Sequence, residues 1–375
     1  MPENTMMTPA CLIDEAKFKR NVERVANHVA AQGCQLRPHV KTLKSVAAAR
    51  YYAPPGTPIT VSTLAEASYF LAAGYRDILY AVVVTPNKLS EVASLVADGA
   101  QLTVMVDSVA GASALSEAWQ SPHTLQVAIE VDVDGHRAGI QPDAEALPDI
   151  ATLLCKAEKL QFHGLVAHAG ASYGSFTPAA RHDMAEQEVA RMQHAVRHLT
   201  EHGFTCQMVS IGSTPTALED VDRTGITEIR AGVYATFDCV MAGLDVCKVD
   251  DIALSVLTSV IGTQPHKGQV LIDAGWMALS RDTGTATTSF DCGYGLVCDL
   301  EGKLLDGWYV AHTNQEHGII CHRDGGKVAT DMFRFGQMLR ILPVHACATA
   351  SQFSQYTVVD AHMQTQAVWS RVNGW

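Results

Sequence analysis

The sequence lacks three features that would assign it to a secreted or membrane class. It has no CxxC pair among its ten cysteines, and no apolar run long enough to cross a bilayer. Its first residues, MPENTMMTPA, lack the basic and apolar regions of a secretory signal. Scattered cysteines without a framework are typical of thiols in a reducing compartment. These absences predict a cytoplasmic protein with neither disulfides nor a membrane anchor.

Positive charge is also scarce. The 375 residues include 27 Lys and Arg against 39 Asp and Glu, a formal net charge of −12, and no cluster of basic residues. This balance argues against a nucleic-acid or anionic-membrane partner. With 47% hydrophobic and 18% charged residues the chain is an ordinary globular one. Its length predicts two or three domains, or one large barrel with an addition.

A regular alternation of β-rich runs and helical stretches occupies the region between residues 35 and 235. The β-rich runs lie near 36–40, 58–62, 77–84, 102–106, 126–132, 162–168, 207–212 and 228–234. Eight strands alternating with helices predict a closed (β/α)₈ barrel. The alternative is an open doubly wound sheet, whose first turn carries G-x-G-x-x-G. No such motif follows any of these runs.

The pattern changes from about residue 245. Strand-like segments then follow one another with hardly a helix between them: LSVLTSVIGT, GQVLIDAG, GYGLVCD, GWYVAHT, MLRILPVHA and SQYTVVD. The sequence therefore predicts an α/β protein with a barrel over 11–243 and a β-rich domain over 244–375. Residues 1–10 are expected to pack with the second domain.

Chemically active side chains follow several of the barrel strands, where the active site of such a barrel lies. Lys41 follows the first strand and could form a Schiff base. Arg137 lies in a turn after the fifth, and His168 and Tyr173 follow the sixth, where a ring can stack on a planar cofactor. Taken singly, each also has a structural explanation: a surface lysine, an ordinary loop, a structural histidine.

The ends of the seventh and eighth strands are rich in small and hydroxyl-bearing residues. They carry Gly212, Ser213 and Thr214, then Gly232 and Tyr234. Barrels often bind phosphate at this place, through exposed backbone N–H groups. An ordinary turn has the same composition, so the pattern alone leaves both interpretations open.

One His-x-Cys pair lies in the second domain. His345 and Cys347 would point to one face if they lay on a strand, and imidazole with thiolate suits Zn²⁺ with positions left open for water or substrate. A core histidine beside a buried cysteine is the alternative. Further polar candidates in this domain are Asp273, Asp282, Gln315 and His317.

The motifs together resemble a known family. In family order they are RPHVKT, ITVSTLAEA, DILYAV, VDVDGHRAGI, AHAGASYG, VSIGSTPTAL, EIRAGVY, LIDAGWMALSRDTG, NQEHGI and LPVHACAT. They resemble the D-serine dehydratase and D-threonine aldolase family, pyridoxal-phosphate enzymes related to alanine racemase. The likeness covers almost the whole chain, and it implies a barrel followed by a β-rich domain in a homodimer.

The resemblance implies a role for each candidate. Lys41 matches the lysine that binds pyridoxal phosphate as a Schiff base, Arg137 the contact to its phenolic oxygen, and His168 the residue beside its ring. The implied phosphate site is Gly212, Ser213, Thr214, Gly232 and Tyr234; the implied metal ligands, for zinc or manganese, are His345 and Cys347; the implied pocket residues are Tyr173, Gln315 and His317. Two positions depart from the family: Val344 replaces an asparagine, which removes an amide beside the metal site, and Ala138 replaces a serine.

The resemblance also implies a reaction. A dehydratase would convert a D-3-hydroxy amino acid, D-threo-3-hydroxyaspartate or D-serine, to a 2-oxo acid and ammonia. An aldolase would use the same parts to release glycine and an aldehyde, but aldolases tend to have aspartate at the position of Cys347. A racemase needs no metal, and non-catalytic carriers of the cofactor lack the second domain. Dehydratase is the favoured interpretation and aldolase the alternative.

Overall fold

The computed structural model describes residues 6–325 and 332–375. The chain divides into two compact units. We call residues 24–232 with 372–375 the barrel unit, and residues up to 23 with 233–371 the sheet unit. The predicted boundaries put a barrel at 11–243 and a β-rich domain at 244–375 with residues 1–10 packed on it, whereas the sheet unit also includes residues 11–23 and 233–243.

The first strand, β1 (Ala10–Asp14), pairs with strands of the sheet unit, and helix α1 (Glu15–Ala31) follows it. The barrel strands are β2 (Gln35–Pro38), β3 (Ile59–Val61), β4 (Asp77–Val83), β5 (Gln101–Val106), β6 (Leu125–Val131), β7 (Leu160–Ala167), β8 (Met208–Ile211) and β9 (Glu228–Ala231). All are parallel, in the order β2-β9-β8-β7-β6-β5-β4-β3. A bridge between His39 and Thr60 joins the remaining edges. The predicted (β/α)₈ barrel is confirmed.

Helices connect these strands. They are α2 (Val46–Tyr52), α3 (Leu64–Ala72), α4 (Leu89–Ala97), α5 (Val109–Ala118), α6 (Ala146–Lys156), α7 (Pro178–Glu201) and α8 (Thr214–Ala217), with 3₁₀ turns at Pro86–Lys88 and Gly170–Gly174. Thr63, Ser108 and Thr177 cap α3, α5 and α7 by accepting a backbone N–H, which fixes where each helix begins. On α7, Val189 and Met192 are buried, so this face of the helix belongs to the core.

The barrel interior is apolar in its middle and charged elsewhere. Leu79, Met105, Ala128, Val166 and Met208, each from a different strand, form one packed layer. The strands also carry buried polar contacts: Arg37 donates to Glu228 at 2.8 Å and to Asp77 at 2.7 Å, and Arg230 donates to the Ser210 hydroxyl at 2.6 Å. Buried guanidinium groups of this kind persist only where their donors are satisfied.

The sheet unit is built on one mixed sheet. Its later strands are β10 (Leu254–Gln264), β11 (Gln269–Ile272), β12 (Leu296–Cys298), β13 (Leu304–Thr313), β14 (Gly318–His322), β15 (Met338–Leu342), β16 (Gln355–Val359) and β17 (Thr365–Ser370). Strand order is β11-β14-β13-β12-β15-β10-β1-β16-β17. Short helices are α9 (Cys239–Gly243), α10 (Trp276–Leu279) and α11 (Ala346–Ala350), with 3₁₀ turns at Val233–Ala235, Val249–Asp251 and Pro265–Lys267.

Part of this sheet was not predicted from the sequence. Strands β1, β14 and β17 lie in segments that were not predicted as strands. The segment MLRILPVHA was predicted as strand-like, but only its first residues form a strand, and His345 and Cys347 lie outside it. Strand β15 ends at Leu342, and His345 is the N-cap of α11, which contains Cys347. The preceding Pro343 has no N–H to continue a ladder, so the chain leaves the sheet there.

Candidate active site

Lys41 lies just beyond the end of β2, close to the end of β9. A Cβ built on Gly232 would lie 3.3 Å from His39 Cβ and 3.8 Å from Lys41 Cε. A side chain at position 232 would therefore crowd the segment that carries the lysine. The glycine allows the two strand ends to approach closely and leaves room beside the Lys41 amine.

His168 is held in its neutral form at the end of β7. Burial lowers the pKa of His168 to about 3, and the charges of Arg137, Arg230 and Lys41 act in the same direction. Its Nδ1 lies 3.0 Å from the Gly212 carbonyl oxygen. Since a carbonyl only accepts, Nδ1 carries the proton and Nε2 carries the lone pair.

Two residues that the sequence analysis did not select also face this mouth. Burial lowers the pKa of His39 well below its usual range, with further lowering by Lys41, Arg230 and His168. Arg230 is buried and also donates to the Ala167 carbonyl. Their sequence signals were weak: a histidine two residues before the lysine, and an arginine within a short predicted strand.

Arg137 is exposed in the loop after β6, yet its charge reaches the barrel mouth. It lowers the pKa of His168, and it offsets part of the rise that burial causes in the pKa of Glu130. Tyr173 lies on the 3₁₀ turn after β7, with its ring centroid 6.2 Å from that of His168. The structure thus brings Lys41, Arg137, His168 and Tyr173 to one end of the barrel.

The ends of β8 and β9 form a close-packed pair. Gly212 has φ +128°, and a Cβ there would lie 2.3 Å from the Arg230 carbonyl oxygen. Ser213 caps α8 through a capping box with Thr216. Gly232 N–H donates to Thr214 Oγ1 at 3.4 Å. Backbone can therefore approach a ligand where side chains would block it.

Four of the five predicted phosphate-site residues belong to this pair of strand ends in the barrel unit. The fifth, Tyr234, falls within the sheet unit, where burial raises its pKa. Small residues together with several cationic side chains fit a flat, anionic cofactor that is anchored through an amine. The barrel mouth therefore fits pyridoxal phosphate in charge, and its small residues let backbone N–H groups approach a phosphate.

His345 and Cys347 lie next to each other in the sheet unit. Asp282 Oδ2 accepts a hydrogen bond from His345 Nδ1 at 2.7 Å, and the Cys347 thiol is within hydrogen-bond reach of the ring. Burial lowers the pKa of His345, but Asp282, Cys347 and Asp238 more than offset it and raise the pKa to about 11. Although Val344 supplies no amide, His345 is oriented by Asp282 instead.

Asp238 fixes the backbone at this place and was not selected from the sequence. Its Oδ1 accepts from Met241 N–H at 3.0 Å and its Oδ2 from Ala346 N–H at 2.9 Å. The carboxylate thus ties the first turn of α9 to the first turn of α11. Burial raises the pKa of Asp238, and the charge of His345 opposes that rise.

The donor set fits a cation with open coordination positions. In the described ranges, 6–325 and 332–375, no group of three or more His, Cys, Asp or Glu side chains is arranged to hold a metal ion. An ion bound by His345 and Cys347 would take its other ligands from water or substrate. A histidine whose second nitrogen donates to a carboxylate is the usual arrangement for a metal ligand.

Gln315 and His317 lie exposed in the turn between β13 and β14. The Gln315 carbonyl accepts from Met277 N–H at 3.1 Å. A Cβ on Gly275 would lie 2.3 Å from the same oxygen, so the turn packs directly on the backbone that leads to Asp282. The other acidic candidate, Asp273, accepts hydrogen bonds from Thr8, Thr258 and Ser259.

Comparison with known proteins identifies the family. Residues 13–239 match the model of the alanine racemase N-terminal domain, and residues 253–359 match that of a putative serine dehydratase domain. The chain is 46% identical to D-threo-3-hydroxyaspartate dehydratase of Delftia sp. (strain HT23), over 99% of this chain and 98% of that protein. This chain belongs to the alanine racemase-like family that includes this dehydratase.

The solved structures agree with this assignment. The structure of the Delftia dehydratase has a TM-score of 0.94 at 45% identity, covering 99% of both chains, and a mutant of D-threo-3-hydroxyaspartate dehydratase solved in a metal-free form has a TM-score of 0.95. D-threonine aldolase of Arthrobacter sp. is 29% identical over 94% of this chain and 89% of that protein. The chain is therefore an alanine racemase-like lyase.

Among the described residues, no helix combines the length and the apolarity that crossing a bilayer requires. This agrees with the absence of long apolar runs in the sequence.

Proposed function

We propose that the protein is a pyridoxal-phosphate-dependent, divalent-metal-assisted dehydratase of a D-3-hydroxy amino acid, with D-threo-3-hydroxyaspartate as the first candidate substrate. The 46% identity to a dehydratase of that substrate, over 99% of this chain, carries the proposal. The chemistry of the two candidate sites supports it independently.

The barrel mouth would hold the cofactor. Lys41 would bind it covalently, Arg137 would contact its phenolic oxygen, and His168 would lie beside its ring. Gly212, Ser213, Thr214 and Gly232, with Tyr234, would receive its phosphate. When bound, pyridoxal phosphate supplies an electron sink for the bond broken at Cα. The cationic side chains that lower the pKa of His168 support this assignment because they favour an anionic ligand.

The protein's own residues then divide the remaining work. Lys41 Nζ removes the Cα proton as general base. His345 and Cys347 would hold a cation, which would supply Lewis-acid assistance to the departure of hydroxide, a poor leaving group when unaided. Loss of the Cα proton and the β-hydroxide gives an enamine, whose hydrolysis yields the 2-oxo acid and ammonia. Tyr173, Gln315 and His317 are proposed to line the substrate pocket.

We also propose a metal, an oligomeric state and a cellular location. Zinc is favoured over manganese because imidazole and thiolate are preferred zinc ligands. Metal analysis of protein purified without added metal distinguishes the two. The homodimer follows from the family resemblance, and the cytoplasmic location from ten cysteines that carry thiols rather than disulfides.

A product assay tests the reaction. The purified protein is incubated with D-threo-3-hydroxyaspartate, D-serine and D-threonine, with and without a chelator, and the products are quantified. We expect ammonia and a 2-oxo acid in equal amounts, and loss of turnover after exhaustive chelation. Glycine and an aldehyde as main products would replace this function with that of an aldolase.

A further inference from the structure

Both carboxylate oxygens of Asp282 accept a hydrogen bond. Oδ1 accepts from Gly284 N–H at 2.9 Å, which fixes the carboxylate within its own turn. Oδ2 accepts from His345 Nδ1 at 2.7 Å, across 63 residues of sequence. The side chains of Asp282 and His345 are 34% and 41% exposed, so solvent reaches both.

This contact determines which ring nitrogen can bind a cation. Because a carboxylate only accepts, Nδ1 of His345 carries a proton, and Nε2 is left with the lone pair once the ring is neutral. The same bond holds the plane of the ring. A surface ion pair that served stability alone would contribute little at this exposure.

We propose that Asp282 is a positioning residue for the metal site, fixing the tautomer and orientation of His345 so that Nε2 faces the ion beside Cys347. This inference rests on the proposed function, since it presupposes that His345 is a ligand. It goes beyond it by assigning a third side chain that touches neither ion nor substrate. Asp282 orients His345 although the neighbouring Val344 supplies no amide.

Metal affinity tests the inference directly. Zn²⁺ binding to the metal-stripped holoenzyme is measured by competition with a chromophoric chelator, for wild type and for Asp282→Ala and Asp282→Asn. Loss of an orienting carboxylate weakens metal affinity by roughly 10–100-fold in comparable sites. We expect this loss for Asp282→Ala and a smaller one for Asp282→Asn, whose amide oxygen can still accept from Nδ1.

Asp324 provides the matched control. It also pairs with a histidine, His322, at 3.6 Å in the sheet unit, and its side chain is 85% exposed. Asp324→Ala should bind Zn²⁺ like wild type. The thiolate-to-metal absorption band of Co²⁺-loaded protein gives a second readout, which should shift in Asp282→Ala and not in Asp324→Ala.

Three outcomes separate the possible failures. If Asp282→Ala binds Zn²⁺ within twofold of wild type while His345→Ala loses binding, the positioning role is refuted and the metal site stands. If His345→Ala itself binds like wild type, the metal assignment in the proposed function fails. A lower melting temperature of Asp282→Ala with unchanged affinity would make Asp282 a structural residue only.

Discussion

The barrel mouth and the His345–Cys347 segment shift the pKa of a histidine in opposite directions. In the barrel unit, burial and the charges of Arg137, Arg230 and Lys41 lower the pKa of His168 to about 3. In the sheet unit, Asp282, Cys347 and Asp238 raise the pKa of His345 to about 11 against the effect of burial. Burial opposes the charged form in both places, so the neighbouring charges decide the difference.

That contrast indicates what each place can bind. A mouth with excess positive charge and a neutral imidazole favours an anion, whereas a histidine beside carboxylates and a thiol favours a cation. Neither property could be read from the formal net charge of −12, which averages over the whole chain. Variants at either place can therefore break or preserve one side of this contrast separately.

Replacing the barrel lysine should have the largest effect. Lys41→Ala removes both the covalent anchor and the proposed general base, so we expect turnover to fall by at least about 10³-fold. The visible absorbance of the cofactor bound as a Schiff base should also disappear. Lys156→Ala, at the exposed end of α6, is the control and should change neither. Retained absorbance in Lys41→Ala would refute the cofactor assignment.

Disrupting the cation site should affect turnover and leave the cofactor in place. His345→Ala removes one of two proposed protein ligands, and we expect turnover to fall by about 10²-fold or more because Lewis-acid assistance supplies several kcal/mol. The absorbance of the bound cofactor should stay as in wild type. Full activity of this variant, or of chelated wild type, would show that the segment has no catalytic role.

Alanine substitutions at two glycines test the close packing at the strand ends. Gly212→Ala places a Cβ 2.3 Å from the Arg230 carbonyl oxygen at positive φ, so we expect about 2–4 kcal/mol of lost stability from overpacking and backbone strain. Gly203→Ala also has positive φ but nothing within 4 Å, and should lose only about 1 kcal/mol. Equal losses in urea denaturation would contradict the proposed crowding at Gly212.

The smallest expected effect is on the pH dependence of stability, measured on the cofactor-free protein. The pKa of His39 is lowered in the folded state, so only the unfolded state binds its proton below about pH 6.5, and stability falls as pH falls through that value. One such histidine contributes about 1.4 kcal/mol of this loss at pH 5.5. We expect His39→Gln to lose less stability than wild type between pH 7.5 and 5.5.

The control for this measurement is His266→Gln, a change at an exposed position of the sheet unit. It should follow the wild-type dependence of stability on pH. The same dependence in His39→Gln would mean that burial of His39 does not suppress its protonation.

Prediction from sequence was strongest where a local pattern repeats. Eight β-rich runs alternating with helices predicted the barrel, and each lies on one of its strands, because a buried parallel strand needs a continuous apolar run. It was weaker in the sheet unit, where β1, β14 and β17 were missed and the whole of MLRILPVHA was predicted as strand-like. There, short antiparallel strands and one-turn helices give little periodic signal.

The residues of the candidate site also differ in how well the sequence could predict them. Lys41, Arg137, His168 and the glycines could be selected because they follow strands and match family motifs. Asp238, Glu130 and Arg230 could not, since nothing in their own segments indicates that they face a site. Asp282 was noted only as one polar candidate among several, and its contact with His345 joins residues that lie 63 positions apart.

The alternation of strands and helices in the barrel, the family and the available chemical groups all follow from the amino-acid sequence. The tertiary structure decided the charge state of those groups, because a pKa depends on burial and on charges brought from distant parts of the chain. It also decided which ring nitrogen each histidine presents: Nδ1 of His168 is occupied by the Gly212 carbonyl, and Nδ1 of His345 by the Asp282 carboxylate. Those hydrogen bonds form only when the chain folds.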